Sequence, residues 1–231
     1  MNYLAIDAST EACSVALQFN NTVVSRYEIC PQSHSLLLLP MVDEVLKEAG
    51  CKLNQLDGLI YGRGPGSFTG VRIGIGVAQG LGYSANLNLV GVSTLQAMAQ
   101  LAFIEHKETK VISAIDARMS EVYNCYFELD ENNIMQPTIE EAVTSPIELQ
   151  KRLQNITAKA YGVGSGWDAY NNELIQLKTN DGSPKVLFPD AKAMLVIGHQ
   201  AFENGEGVSA ENAQPVYVRD TVSWKKLPGK E

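Results

Sequence analysis

The sequence predicts an α/β protein built of two lobes. The first observation is a series of apolar runs of strand length over residues 3–6, 13–19 and 22–29, separated by turn residues. The second is a short apolar run over residues 56–61, typical of a buried strand, which leads through a glycine turn into a helix. The third is a return of the opening pattern of strand, aspartate loop and strand over residues 111–127. Strands that alternate with helices in both halves place the chain in the α/β class.

Composition indicates an ordinary globular protein with an acidic surface. The chain has 231 residues, 45% of them hydrophobic, which is enough for one large domain or two small lobes with a sizeable core. Its net charge of −8 and its pI near 5.0 disfavour free-standing binding to nucleic acid or to an anionic membrane. No uninterrupted apolar run approaches the length of a membrane span. Contact with RNA therefore needs a local basic patch or a basic partner.

The cysteines and the first residues predict a cytoplasmic protein. Cys13, Cys30, Cys51 and Cys125 are scattered without a C-x-x-C pair, which is typical of reduced thiols in the cytosol. Asp7 follows the first apolar residues too soon for a secretory signal peptide.

Residues 1–105 are predicted to form an N-terminal lobe with partner-binding helices. Asn20 and Asn21 form a tight hairpin turn. Asp7 enters a loop of the kind that holds phosphate or metal, although such a loop is at least as often a simple Asx-turn. An amphipathic helix follows over residues 35–50. Its broad apolar side comprises Leu36, Leu37, Leu39, Val42, Val45, Leu46 and Ala49, widened by Leu38 and Met41. This surplus of apolar surface suits an interface between helices.

Residues 62–83 hold eight of the nineteen glycines and organise this lobe. A turn over 64–66 leads into a helix that Ser67 or Thr69 can cap. Strand, glycine turn and helix form a common phosphate-binding arrangement. Each glycine inside the helix costs on the order of 1 kcal/mol relative to alanine, so close backbone packing has to compensate. The residues alone leave two interpretations open, which are packing of the helix on its own sheet, the one they favour, and a surface for a partner helix.

A charged run over residues 105–110 is the predicted lobe boundary. After it we expect strands over 111–115 and 122–127, a helix over 146–154, a strand over 158–161, a turn over 162–166, and helices over 167–177 and 191–204. Residues 106–213 are thereby assigned to a C-terminal lobe, and residues 214–231 to a tail that is partly basic. The second strand, aspartate loop and strand, around Asp116, indicates a weak internal duplication.

Few residues are arranged for catalysis. His34, His106 and His199 lie far apart and not at ligand spacing, so we predict no metal site and no catalytic residue. The chain has no G-x-S-x-G elbow and no G-x-x-x-x-G-K-[ST] loop. The aspartate loops and glycine turns nevertheless predict a vestigial nucleotide cleft without a bound cofactor. Its residues are Asp7, Ser9, Asp116, Arg118, Gly162 and Gly164.

Three segments of the sequence resemble the bacterial TsaB (YeaZ) proteins. They are AIDASTEAC over residues 5–13, GRGPGSFTGVR over 62–72 and VYVR over 216–219, and the likeness extends over nearly the whole chain. The resemblance implies the two-lobed fold of actin, Hsp70 and sugar kinases, with mixed sheets flanked by helices. It also implies a role in making threonylcarbamoyladenosine at position 37 of tRNAs that read codons beginning with A.

The resemblance further implies that a paralogue, TsaD, performs the transfer with a metal held by an H-x-x-x-H motif. Aligned on residues 90–92, those two histidines fall on Thr94 and Met98 here, and neither side chain can replace a histidine ligand. The implied role is therefore a non-catalytic scaffold that dimerises with TsaD and assembles with the ATPase TsaE. It implies a homodimer when TsaD is absent, contact with tRNA only through the complex, and no membrane partner.

The interface implied by the resemblance lies on the leucine-rich and glycine-rich helices. Its residues are Leu36, Leu37, Leu39, Met41, Gly70, Ile73, Gly74, Val77, Gly80 and Leu81. The alternative, from a different class, is an autonomous ATP-dependent kinase or hydrolase of the same fold. An intact nucleotide cleft favours the enzyme, whereas the missing glycine near Asp116 and a helix-pair interface favour the scaffold.

Overall fold

The computed structural model describes residues 1–156 and 159–219. Its strands are β1 Tyr3–Asp7, β2 Ala12–Phe19, β3 Thr22–Ile29, β4 Gly58–Gly62, β5 Leu89–Val92, β6 Lys110–Asp116, β7 Val122–Leu129, β8 Met135–Pro137, β9 Ala142–Thr144 and β10 Tyr161–Val163. Its α-helices are α1 His34–Ala49, α2 Phe68–Ala85, α3 Thr94–His106, α4 Pro146–Leu153, α5 Gly166–Ala169, α6 Asn171–Leu174 and α7 Ala191–Glu203. Short 3-10 helices cover Leu53–Gln55, Ile175–Leu177 and Ala210–Asn212.

The first sheet has the strand order β3-β2-β1-β4-β5. β1 pairs antiparallel with β2, where Asp7 lies opposite Ser14, and β4 runs parallel to both β1 and β5. Asn20 and Asn21 have φ values of 48° and 64°, as a two-residue turn between β2 and β3 requires. The three predicted N-terminal strands and their hairpin are therefore confirmed.

The second sheet has the order β10-β6-β7-β8, and β9 also pairs with β7. β6 and β7 are antiparallel, with Asp116 opposite Val122, while β10 joins β6 in parallel. Asp116 thus ends β6 as Asp7 ends β1, and an antiparallel strand follows each of them. The recurring pattern of strand, aspartate loop and strand is confirmed.

The sheets and helices stack as five layers. α1 and α2 cover one face of the first sheet, and α7 packs on its other face. α3 contacts α7 and covers the near face of the second sheet. α4, α5 and α6 cover the far face of that sheet. The predicted α/β class, with two mixed sheets flanked by helices, is thereby confirmed.

Helix α7, which lies within the predicted C-terminal lobe of residues 106–213, packs on the first sheet. Gly198 lies so close to Ile60 of β4 that an added Cβ would collide with that side chain. The backbone N–H of Ala191 donates to the hydroxyl of Ser14 on β2 (3.0 Å). The last helix of the predicted lobe therefore belongs to the core of the first sheet, because its apolar face fits the strands there.

Two further predictions in the second half differ from the structure. The strand expected over 158–161 is found at β10, so Gly162 lies in a strand and not in a turn; part of the predicted range lies outside the described residues. The helix expected over 167–177 is divided into α5, α6 and a 3-10 turn, because Tyr170 has φ of −129° and interrupts the helix. Within the predicted tail, only residues 214–219 are described.

The side of α1 that faces the sheet also differs from the prediction. Its buried apolar side chains are Leu38, Met41, Val42 and Val45. Leu36 is 73% exposed and Leu39 is 49% exposed, so these two leucines are not part of the core. The four successive leucines at 36–39 point in directions all around the helix axis, so their spacing alone does not show which one faces the sheet.

Helix α3 lies between layers and is buried on most of its surface. Eight of its thirteen residues are buried, and its N-cap Ser93 accepts a hydrogen bond from the N–H of Gln96 (3.3 Å). Within residues 1–156 and 159–219, no helix combines the length and the apolar character that a membrane span needs.

Candidate functional site

A cleft of about 690 Å³ lies between the two lobes. The first lobe contributes the loop after β1 and the start of α2, and the second lobe contributes the end of β6 with the loop that follows it. The C-terminal residues complete the wall. The polar lining residues include Ser9, Thr10, Glu11, Ser67, Arg72, Asp116, Arg118, Tyr123, Tyr217 and Arg219. Three of the six predicted cleft residues, Ser9, Asp116 and Arg118, are therefore brought together here.

Asp7 lies behind the cleft wall, not in it. Its carboxylate is buried, and Oδ1 accepts hydrogen bonds from the backbone N–H and the hydroxyl of Ser9 (3.0 Å each). Oδ2 lies against the Cα of Gly62 on β4 and has no hydrogen-bond partner among the described residues. Burial raises the pKa of Asp7 to about 6, although the two bonds from Ser9 lower it. Asp7 thus supports the loop through Ser9 and does not face the cleft.

Ser9 connects Asp7 to the first turn of α3. The hydroxyl of Thr94 donates to the hydroxyl of Ser9 (2.9 Å), which in turn donates to Asp7. Thr94 is one of the two positions where the resemblance places a metal-binding histidine in the paralogue. The other, Met98, is fully buried in the core on the second sheet. Both side chains are thus engaged inside the protein.

The charges on the second-lobe side of the cleft neutralise one another. Arg118 forms an ion pair with Asp116 (2.8 Å) and lies 4.0 Å from Glu11. The hydroxyl of Tyr170 donates to Asp116 as well (3.2 Å). These contacts give the Asp116 carboxylate partners of its own, so it has little charge left to offer a metal ion that carries a nucleotide phosphate.

The loop after Asp116 adopts a left-handed turn without glycine. Arg118, Met119 and Ser120 have φ values of 61°, 56° and 61°. Residues with a Cβ adopt this conformation at a cost of roughly 1–2 kcal/mol each, so contacts elsewhere must hold the turn. Inside it, the N–H of Glu121 donates to the carbonyl of Arg118 (3.0 Å).

Gly162 and Gly164 do not line the cleft, which corrects the prediction for these two positions. Gly162 lies under the ring of Trp167, and an added Cβ would be 2.7 Å from that ring. Gly164 has φ of 103° and lies against the carbonyl of Ala114 on β6. Gly162 makes room for the Trp167 ring against β10, and Gly164 lets the turn after β10 approach the backbone of β6, so the role of both glycines is packing.

The outer surface of α1 and α2 is the second candidate site. Leu36 and Leu39 of α1 are exposed, and Gly76 and Gly80 of α2 have open space where a Cβ would be. A helix can approach closely where a neighbouring helix offers glycine. We call these four residues, with the half-buried Leu37, Ile73, Val77 and Leu81 that pack on the core beneath, the α1–α2 surface.

Three of the predicted interface residues belong to the interior. Met41 is buried in the core of the first lobe. Gly70 lies against the carbonyl of Ala8, and Gly74 contacts Ala8 as well (3.7 Å from its N to an added Cβ). These two glycines let α2 pack on the loop after β1, whereas Gly80 and its neighbour Gly76 are open to the outside. At a spacing of four residues, Gly66, Gly70 and Gly74 form one row, and Gly76 and Gly80 form another. Only the second row is open.

The histidines lie apart from one another. His34 is buried and its Nε2 lies 2.7 Å from the carbonyl oxygen of Thr10, while Nε2 of His199 lies 3.4 Å from Glu203. Residues 1–156 and 159–219 contain no group of three or more His, Cys, Asp or Glu side chains placed to hold a metal ion.

Comparison with known proteins identifies the family. The family model described as TsaD, tRNA N6-adenosine threonylcarbamoyltransferase, matches residues 20–220. The tRNA threonylcarbamoyladenosine biosynthesis protein TsaB of Escherichia coli K12 is 48% identical over 233 residues, which cover 100% of each chain. The TsaB of Haemophilus influenzae is 42% identical over 238 residues, covering 100% of this chain and 99% of its own.

Two solved structures from Pseudomonas aeruginosa share the fold. One, described as an uncharacterized protein with similarity to peptidase YeaZ, superposes with a TM-score of 0.87 at 42% identity. The other, described as YeaZ, gives 0.82 at 40% identity. Each match covers 94% of this chain and 99% of the solved one. The chain therefore belongs to the TsaB family of tRNA threonylcarbamoyladenosine biosynthesis proteins.

Proposed function

We propose that this chain is a non-catalytic subunit required for threonylcarbamoyl transfer to adenosine 37 of tRNAs that read codons beginning with A. It acts in the cytoplasm by dimerising with the TsaD paralogue and assembling with the ATPase TsaE. The observation that carries the proposal is the α1–α2 surface, where exposed leucines lie beside open glycines on one layer of helices.

The α1–α2 surface has the chemistry of a helix-packing interface. Leu36 and Leu39 offer exposed apolar side chains that would lose contact with water on binding. Gly76 and Gly80 let a partner helix approach the backbone of α2. The same surface would pair two copies of this chain when TsaD is absent, because a self-complementary patch forms a two-fold dimer.

Contacts inside the protein support a non-catalytic role. Thr94 and Met98 stand where the resemblance places the metal ligands of TsaD, and both are used in internal contacts. The carboxylate of Asp116, which lines the cleft, is engaged in an ion pair with Arg118. With a net charge of −8, contact with tRNA is expected only through the assembled complex.

The inter-lobe cleft favours a second candidate function, an autonomous ATP-dependent kinase or hydrolase. Its volume of about 690 Å³ is ample for a small ligand, and Ser9 and Arg118 face it from the two lobes. This alternative predicts ATP turnover by the isolated chain, whereas the scaffold predicts none.

Reconstitution of tRNA modification separates the two functions. Purified TsaD, TsaE, threonylcarbamoyl donor and tRNA are combined with and without this chain, and modified adenosine and complex size are measured together. The scaffold requires that modification depends on this chain, that a complex forms, and that the chain alone turns over no ATP. Modification of equal extent without the chain, or ATP turnover by the chain alone, would contradict the scaffold.

A further inference from the structure

The C-terminal residues 213–219, which we call the strap, begin on the first lobe and line the cleft. The backbone N–H of Val216 donates to the carbonyl of Arg63 (2.9 Å). The side-chain amide of Gln79 on α2 donates to the carbonyl of Ala213 (3.0 Å). The first half of the strap is thus fixed to the first lobe by hydrogen bonds to its backbone groups, which do not depend on strap side chains.

Tyr217 continues the attachment along the start of α2. The guanidinium of Arg72 lies 3.3 Å from the ring centroid of Phe68 and 5.2 Å from that of Tyr217. The two rings are 6.5 Å apart, so Arg72 contacts both. This cluster places the strap between the first turn of α2 and the mouth of the cleft.

Arg219 attaches the other end of the strap to the second lobe. Its guanidinium donates to Oε2 of Glu121 (2.5 Å) and to the carbonyl of Ala117 (3.2 Å). It also lies 5.8 Å from the ring of Tyr123, and its side chain is only 16% exposed. Both bonds come from Nη2, and a largely buried, charge-assisted ion pair of this type is stronger than an exposed one.

The strap contacts the loop whose conformation is the least favourable in the second lobe. Ala117 and Glu121 bracket the left-handed turn at Arg118, Met119 and Ser120, and the N–H of Ala117 donates to the carbonyl of Glu121 (2.9 Å). A planar guanidinium that holds both ends of such a turn stabilises it and, at the same time, ties it to the first lobe.

We propose that Arg219 is a latch that sets the separation of the two lobes, and that release of the strap from Ala117 and Glu121 opens the cleft. Helix α3, which packs on α7 and on the near face of the second sheet, joins the lobes in the interior. The strap joins them again at the cleft through the side chain of Arg219, beside the exposed and therefore weaker pair of Arg118 and Glu11 (4.0 Å). A connection that depends on a single guanidinium can be released without disturbing either core.

The test measures the distance between the lobes in the full-length chain. Cysteines replace Thr69 and Asp168, which are exposed and lie on different lobes, and both carry spin labels. The four native cysteines are buried and are poor targets for the label. In this background, Arg219→Ala is expected to shift the distance distribution to longer values and to broaden it.

Amide hydrogen exchange provides a second measurement of the release of the strap. The N–H groups of Ala117 and Glu121 close the left-handed turn, so Arg219→Ala is expected to speed their exchange by about tenfold or more. Glu121→Gln removes the charge of the acceptor of Arg219 with little change of shape. It should shift the distance distribution and the amide exchange in the same direction as Arg219→Ala. Arg219→Lys keeps the charge but not the planar guanidinium and should give an intermediate distribution.

The matched control is Arg26→Ala, which removes ion pairs to Glu44 and Glu48 that lie wholly within the first lobe. It should leave the distance distribution unchanged. Superposable distributions for Arg219→Ala and the unaltered chain overturn the latch, as does an equal shift in the Arg26→Ala control. An effect of Arg219→Ala that Glu121→Gln does not reproduce also overturns it. Circular dichroism of each variant confirms that both lobes remain folded.

Discussion

The carboxylate of Asp7 occupies the space that a side chain at Gly62 would need. The two residues lie at the ends of the neighbouring strands β1 and β4, and Oδ2 of Asp7 stands where the Cβ of residue 62 would be. Glycine at position 62 thus permits a buried carboxyl group beneath the cleft wall, and both residues become testable through this contact.

The first prediction concerns the pH dependence of stability. The pKa of Asp7 is raised to about 6, so folding favours the protonated form. The stabilisation is complete below the unfolded pKa and is lost as pH rises through about 6. The unaltered chain should lose roughly 2 kcal/mol of unfolding free energy between about pH 4 and about pH 7 through this group, and Asp7→Asn should abolish that loss. Denaturant unfolding at both pH values measures it.

The control for this prediction is Asp181→Asn, at an exposed position of the second lobe. Its unfolding free energy should follow that of the unaltered chain at every pH. Parallel pH profiles for Asp7→Asn and the unaltered chain would show that the Asp7 carboxyl is not the group responsible.

The second prediction is that Gly62→Ala destabilises the protein through Asp7. Forcing a methyl group into a filled site costs about 1–3 kcal/mol. Combining it with Asp7→Ala clears the space, so the double variant should lose less than the sum of the single losses. Additive losses would mean that the two side chains do not compete. Gly76→Ala, where an added Cβ meets open space, should instead stabilise the chain by up to about 1 kcal/mol.

The third prediction separates partner binding from folding on α2. Gly76→Leu and Gly80→Leu should each weaken binding to TsaD by at least about tenfold, which corresponds to about 1.4 kcal/mol. Their melting temperatures should not fall, because leucine is the better helix former and the sites are open. Titration calorimetry measures the affinity. Asn172→Leu, at an exposed site on α6, is the control, and equal affinities for all variants would remove these glycines from the interface.

The fourth prediction contrasts neighbouring leucines of α1. Replacing Leu36 and Leu39 together by serine should convert a homodimer to monomer in analytical ultracentrifugation, with a stability change within about 0.5 kcal/mol for each substitution. Leu38→Ala should instead cost about 2–5 kcal/mol, because Leu38 is fully buried. A dimer that persists in the serine variant would place the contact on another surface.

The elements of the fold could be predicted because their local signals were strong. The hairpin at Asn20 and Asn21 and the recurring aspartate loops have short-range causes, so the sequence contains them in full. The position of α7 has no such short-range cause. Its placement on the first sheet depends on how Gly198 fits Ile60, a contact between residues far apart in the chain.

The candidate site was only partly predictable for the same reason. Ser9 and Arg118 were identified from their loops, but the row of glycines open to a partner could not be distinguished from the row packed on Ala8. The sequence shows the strap only as the VYVR motif over residues 216–219. The presence of arginine in a short C-terminal motif gives no indication that Glu121, almost a hundred residues earlier, is its partner.

Helix α3 has a consequence for how the chain can be divided. Most of its surface is buried, by α7 on one side and by the second sheet on another. A fragment ending at residue 105 would carry this helix without either neighbour, and the remaining fragment would contain a sheet with one uncovered face. Neither half is a self-sufficient folding unit, so the two lobes are expected to melt in a single cooperative transition.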